Sequence, residues 1–192
     1  MKLKKLIKLT TIAVVSFGFY TSFQNNSNVE AKTTLKFPKK GRLGNGGKFI
    51  VPKKFRGTWY DKTGKIIIGK STYKVFSSKD KSESHILLKR VKYPKDFGFK
   101  VSEKHIKETK TWLRAYYYKK TDYVNFLWWY RNSGFGDTYF YRTKTINHKK
   151  IKMLVVGIDQ DPSTKNYSTI MFKSKKLALK YSHIHIKGFR KW

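Results

Sequence analysis

The chain has 192 residues and no cysteine, and 44 Lys and Arg outnumber 11 Asp and Glu to give a formal net charge of +33 at pH 7. Without cysteine the protein has no disulfide framework, no thiolate nucleophile and no cysteine-ligated metal. A positive surplus of this size says little about the fold, but it indicates an anionic partner such as a wall polymer, a glycan, nucleic acid or a lipid headgroup.

The first 31 residues have the pattern of an export signal. Four lysines precede an uncharged segment, Leu9–Phe23, and the triplet Val29-Glu30-Ala31 fits a signal-peptidase site. We predict a signal peptide over residues 1–31, cleaved after Ala31; an uncleaved N-terminal anchor is the alternative. The uncharged segment is shorter than the roughly 20 apolar residues that span a membrane, and no second such segment follows. We therefore expect a mature protein without a membrane span, secreted or held noncovalently at the cell wall.

Cleavage would remove four lysines and one glutamate, which leaves 161 residues with a net charge of +30. This length suits one domain with its own core. Residues 32–52 are basic and rich in glycine, and we predict that they form a flexible arm. Residues 53–192 alternate apolar runs with turn signals, which predicts one antiparallel β domain. The predicted strands are Gly57–Tyr60, Ile66–Phe76, His85–Tyr93, Trp112–Tyr118, Tyr123–Arg131, Thr138–Ile146, Ile151–Ile158 and Tyr167–Phe172.

Two short helices interrupt this β pattern. Ser102 is placed to cap the first, and Ser174 to cap a C-terminal helix that ends near Ser182. Many short antiparallel strands in one domain favour a mainly β fold, either a single antiparallel barrel or a sandwich, with a short C-terminal helix. A closed barrel also removes the exposed edges that invite aggregation of aromatic-rich strands.

Two motifs carry a resemblance to known proteins. The segment Phe55-Arg56-Gly57-Thr58-Trp59-Tyr60 and the tail around residues 172–178 resemble small secreted proteins of lactic-acid bacteria, a likeness that implies export but no activity. The Gly57-x-Trp59 pair also resembles the first strand of lipocalin-like barrels. That likeness implies that Trp59 plugs one end of a barrel and that a late arginine, Arg142 or Arg190, packs on it.

Basic residues that alternate with aromatic ones are the candidate polyanion-binding residues, because such runs suit phosphate contact and stacking. Ordinary strand alternation, with aromatic rings inside and lysines outside, is the other interpretation. Lysine is commoner than arginine, which favours diffuse attraction over bidentate phosphate recognition. The candidates are Lys36, Lys39, Lys40, Arg42, Lys89, Arg90, Lys92, Lys119 and Lys120.

The tryptophans and tyrosines of the central strands form either a ligand pocket or the barrel core. The pocket candidates are Trp59, Trp112, Tyr116, Trp128 and Trp129. Only one of the adjacent Trp128 and Trp129 can face inward, so we expect the other to be exposed or at a rim.

His183 and His185 lie two residues apart, which places both imidazoles on one face of an extended segment. Such a pair suits the start of a metal site or acid–base chemistry on phosphodiesters, but an unremarkable polar face fits equally. We assign no catalytic residue, metal or cofactor. The leading hypothesis is a noncatalytic exported protein that adheres to anionic wall polymer, glycan or nucleic acid. The alternatives are a small-molecule-binding barrel and a phosphodiester- or glycan-cleaving enzyme that uses the paired histidines.

Overall fold

The structure is a computed structural model that describes residues 35–76, 82–92, 101–130, 136–157 and 166–191. The predicted signal peptide and the ends of three predicted strands, at Tyr93, Arg131 and Ile158, lie outside these ranges. Strands occur at β1 (Asn45–Lys48), β2 (Gly57–Tyr60), β3 (Lys65–Ile68), β4 (Thr72–Phe76), β5 (Ser82–Arg90), β6 (Trp112–Tyr118), β7 (Tyr123–Trp128), β8 (Gly136–Ile146), β9 (Lys149–Gly157), β10 (Asn166–Phe172) and β11 (Arg190–Lys191).

Two α-helices lie within the same ranges, α1 (Glu103–Thr109) and α2 (Lys175–Tyr181), together with 3-10 turns at Arg42–Gly44 and Lys53–Phe55. Both helices begin at the predicted caps, because the side chains of Ser102 and Ser174 each accept a hydrogen bond from a first-turn backbone N–H at 3.3 Å. Neither helix is long and apolar enough to cross a membrane.

Nine strands close into a barrel in the order β5-β4-β3-β2-β10-β9-β8-β7-β6, and β6 returns to pair with β5. Strands that alternate in direction around a ring of odd number must include one parallel pair, and here that pair is β5–β6. A parallel pair needs a long crossover connection, and the segment between these two strands contains α1. The predicted single barrel is confirmed, with antiparallel pairing everywhere else around the ring.

The barrel interior is filled by one apolar cluster that draws side chains from all nine strands. At one end, Trp59 is fully buried and its indole N–H donates to the carbonyl of Phe55 at 2.7 Å. Phe55 in turn meets the rings of Tyr117 and Tyr141 edge to face, each at 5.9 Å between centroids. Trp59 is therefore held in the interior cluster beside Phe55.

The arm predicted over residues 32–52 is not a flexible segment where the structure describes it. β1 pairs with β5, and Phe49 and Val51 belong to the interior cluster. Upstream, Leu35, Phe37 and Leu43 pack on the outer face of the barrel. The prediction failed because a glycine-rich, basic composition masked five apolar anchors among the lysines.

The predicted strand Ile66–Phe76 is two strands, β3 and β4, separated by a tight turn at residues 69–71. The turn changes the alternation, so Ile66, Ile68 and Tyr73 face the interior while Ile67 does not. A second apolar cluster lies on the outer face of β7–β10, under α2 and the segment that follows it.

Candidate functional site

A groove of about 520 Å³ lies between the tip of the β8–β9 hairpin and α2. Its lining contains no aspartate or glutamate. Six lysines line it: Lys149, Lys150, Lys152, Lys173, Lys176 and Lys180. In the parts of the chain that the structure describes, the ion pairs form elsewhere, between Arg42 and Glu108, Lys54 and Asp122, and His85 and Glu83. We call this surface the lysine groove.

The hairpin side of the lysine groove is held by a tight turn. β8 and β9 pair as far as Ile146 and Lys149, so the turn contains only Asn147 and His148. Both residues have positive φ, 48° and 59°, which is the backbone of the type I′ turns that match the twist of paired strands. The ladder therefore carries Lys149 and Lys150 at the end of a continuously paired hairpin.

The helix side follows from helical spacing. Lys176 and Lys180 are four residues apart on α2, which places them on the same face of the helix, and Lys173 comes just before the Ser174 cap. The cap at Ser174 fixes where that helix begins. Ala178 points away from this face and is fully buried in the outer apolar cluster, which anchors α2 to the barrel.

Lys173 lines the lysine groove and also contacts Trp59 of the interior cluster. Its ammonium lies 3.5 Å from the ring centroid of Trp59 and donates to the carbonyl of Arg56 at 2.8 Å. Desolvation, followed by repulsion from Lys152, lowers the pKa of Lys173 from its ordinary value of 10.5 to about 8. A bound anion would relieve this repulsion, so the groove has a local electrostatic preference for negative charge.

The predicted polyanion-binding residues are dispersed rather than gathered into one site. Lys36, Lys39 and Lys40 are exposed along the arm, Lys89 and Lys92 at the end of β5, and Lys119 and Lys120 at the β6–β7 turn. The remaining two are already engaged. Arg42 makes a bidentate pair with Glu108, and the guanidinium of Arg90 lies 4.5 Å from the ring of Trp129.

The predicted pocket residues divide between the two faces of the barrel wall. Trp59 and the partly buried Trp128 belong to the interior cluster. Trp112, Tyr116 and Trp129 lie on the outer face. One of Trp128 and Trp129 was expected to be exposed or at a rim. Trp129 lies on the outer face but is only 1% exposed, because the arm covers it and its indole N–H donates to the carbonyl of Leu43 at 3.1 Å.

The basic residue that packs on Trp59 is Lys173 and not Arg142 or Arg190. Arg142 instead stacks near Phe140 and Phe189, with 5.5 and 5.2 Å between its guanidinium carbon and the ring centroids. The sequence prediction considered only arginines. It therefore missed Lys173, which follows directly after β10 and whose ammonium contacts Trp59.

His183 and His185 are exposed in an irregular segment after α2. Within the described residues, no group of three or more His, Asp and Glu side chains is placed to hold a metal ion. Within the described residues, neither of these imidazoles makes a hydrogen bond that would orient it for acid–base chemistry.

A polar cluster inside the barrel was not predicted. Tyr73 and Tyr139 both donate hydrogen bonds to one carboxylate oxygen of Asp137, at 2.8 and 3.0 Å. Burial raises the pKa of Asp137 although these bonds oppose it, and burial with the nearby carboxylate raises the pKa of Tyr73 well above its ordinary value. His85 completes the cluster against Tyr73 and Trp128. The two phenols provide hydrogen bonds to the Asp137 carboxylate, and buried polar groups are usually hydrogen-bonded in this way.

No protein-family model, curated protein or solved structure matches this chain.

None of the six groove lysines was among the predicted polyanion-binding residues. Their sequence signals are the Lys149-Lys150-x-Lys152 run, the four-residue spacing of Lys176 and Lys180, and Lys173 just before the Ser174 cap. Each signal alone describes a solvated face. Only the packing of α2 beside the hairpin brings them together.

Proposed function

We propose that the protein is exported, remains noncovalently at the cell surface, and binds anionic polymers there without catalysing a reaction. The observation that carries this proposal is the lysine groove, where six lysines line one concavity whose lining includes no aspartate or glutamate. Binding of a polyanion releases its condensed counterions, so contacts of this kind give affinity that falls steeply with salt.

The chemistry of the groove favours a phosphate-bearing polymer. Lysine binds phosphate as a point charge, whereas arginine reads its geometry through a bidentate fork. A groove whose cationic residues are all lysines therefore suits a flexible chain with repeated charges, such as a wall polymer, and does not favour reading of a nucleic-acid sequence. The dispersed lysines, such as Lys39, Lys89 and Lys119, add longer-range attraction that salt screens.

Two variants with equal loss of charge test the proposal. The groove variant carries Lys150→Gln, Lys176→Gln and Lys180→Gln, and the control carries Lys39→Gln, Lys89→Gln and Lys92→Gln, all at exposed positions. Binding to fluorescently labelled inorganic polyphosphate is measured for both. We expect the groove variant to lose much more affinity than the control, with unchanged thermal unfolding. Equal losses would contradict a groove site and favour a diffuse charge effect.

Export and the absence of catalysis need their own measurements. We expect the protein in the cell-wall fraction, released by molar salt, with a mature N-terminus at Lys32. Retention that is unchanged in molar salt would count against electrostatic attachment. Incubation with polyphosphate, oligonucleotide and wall polymer should yield no cleavage products. Cleavage that disappears in a His183→Ala/His185→Ala variant would replace this proposal with the enzyme alternative.

A further inference from the structure

The lysine groove has an apolar floor that binding of a polyanion leaves unexplained. Ile151 is buried in the outer apolar cluster, and Ile146, Leu177 and Tyr181 pack partly buried against the same cluster. These four side chains also line the groove. The floor is therefore the uncovered edge of the cluster that α2 otherwise closes.

The size and layout of the groove match a ligand that is smaller than a polymer. Its volume of about 520 Å³ lies within the range of roughly 300–1,000 Å³ that is typical of small-molecule sites. Such sites are mostly apolar, with a few polar groups that fix the ligand's orientation. The exposed lysines Lys149, Lys150, Lys176 and Lys180 form a charged rim. Their stems add further apolar surface.

Charge at the rim and an apolar floor together specify a ligand with both features. The proposed function supplies the anionic part, and this inference rests on it. We infer that the lysine groove binds a free single-chain phosphate amphiphile, with its phosphate among the rim lysines and its alkyl chain over Ile151 and Leu177. Lys173 and Lys152, which both line the groove, repel each other, and a phosphate near them would relieve that repulsion.

An alkyl phosphate series tests the inference by calorimetry on the full-length mature protein. Inorganic phosphate and butyl, hexyl and octyl phosphate share the headgroup and differ only in chain length, and octanol lacks the phosphate. We expect affinity to rise by about fourfold for each methylene that the floor buries. We expect octanol not to bind. Affinity that is independent of chain length would overturn the inference.

A pair of substitutions on α2 provides a matched control. Leu177 lines the groove, whereas Leu179 is 58% exposed and lies outside it. Leu177→Gln should flatten the dependence on chain length while polyphosphate binding persists, and Leu179→Gln should change neither. Thermal unfolding shows whether each variant is folded, and Ile146→Thr at the hairpin tip repeats the test if Leu177→Gln is not. Equal flattening by Leu179→Gln would overturn the assignment to the groove.

The outcomes separate this inference from the proposed function. Binding of polyphosphate with no preference for chain length refutes the amphiphile alone. Failure of every anionic probe, polyphosphate included, refutes the proposed function as well. Binding of phosphatidylglycerol vesicles without binding of octyl phosphate would also overturn the inference, because the ligand would then be a membrane surface and not a free amphiphile.

Discussion

Removing half of the groove charge should halve the salt dependence of polyanion binding. For a single-stranded nucleic acid, the logarithm of the binding constant falls with the logarithm of salt concentration at a slope of about −0.7 for each phosphate neutralised. Six groove lysines therefore predict a slope of about −4.2, and affinity should fall about 300-fold between 50 and 200 mM salt. With Lys150, Lys176 and Lys180 changed to Gln, the slope should be about −2.1 and the fall only about 20-fold.

The assay is fluorescence anisotropy of a labelled oligothymidine, titrated at five salt concentrations at pH 7, where Lys173 is still largely protonated because its pKa is about 8. The control with Lys39, Lys89 and Lys92 changed to Gln should keep a slope near that of the wild type. Equal slopes for the groove variant and the control would refute the assignment of these contacts to the groove. A wild-type slope shallower than about −2.1, the value for three phosphate contacts, would refute it as well.

Three further predictions concern individual contacts. Because the pKa of Lys173 is lowered in the folded state, the unfolded chain binds more protons between pH 8 and about 10.5. The free energy of unfolding of the wild type, measured in urea, should therefore rise across this pH range relative to that of Lys173→Gln. A difference between the two proteins that stays constant with pH would contradict the lowered pKa. Trp129→Ala should cost about 3–5 kcal/mol of unfolding free energy because the arm covers Trp129, and a cost below about 1 kcal/mol would show that the arm does not bury it. Tyr73→Phe removes a donor to the Asp137 carboxylate and should cost about 1.5–3 kcal/mol at pH 7 by the same method; no measurable cost would argue against that bond.

Local patterns predicted the local structure well. The β6–β7 and β8–β9 hairpins follow from alternating runs around turn residues, and both helices start at serines that satisfy first-turn N–H groups. These features depend on interactions between residues close in sequence.

The two faces of the strands could not be distinguished by the same means. The outer wall is covered twice, by the arm near Trp129 and by α2 with its following segment near Phe140. Alternation shows which residues of a strand share a face. It does not show which face lies inside the barrel when both faces carry aromatic rings. Because the arm was predicted to be flexible, no segment was expected to cover Trp129, and its burial was therefore not predicted.

The lysine groove illustrates the harder limit. Lys150 and Lys176 are far apart in sequence, and their proximity depends on where α2 docks against the barrel wall. Net charge alone predicted an anionic partner, and the predicted contacts fell on dispersed lysines outside the groove. Concentration of charge is a tertiary property, because it requires elements that are distant in sequence to share one concavity.

The most direct test of the account is a lysine footprint. The mature protein is acetylated at low reagent concentration with and without polyphosphate, and the reactivity of each lysine is read by mass spectrometry. We predict protection of Lys150, Lys152, Lys176 and Lys180 in the lysine groove, with Lys89 at the end of β5 left reactive. Uniform protection of all exposed lysines, or protection of Lys89 without the groove lysines, would contradict the claim that the groove binds the anion.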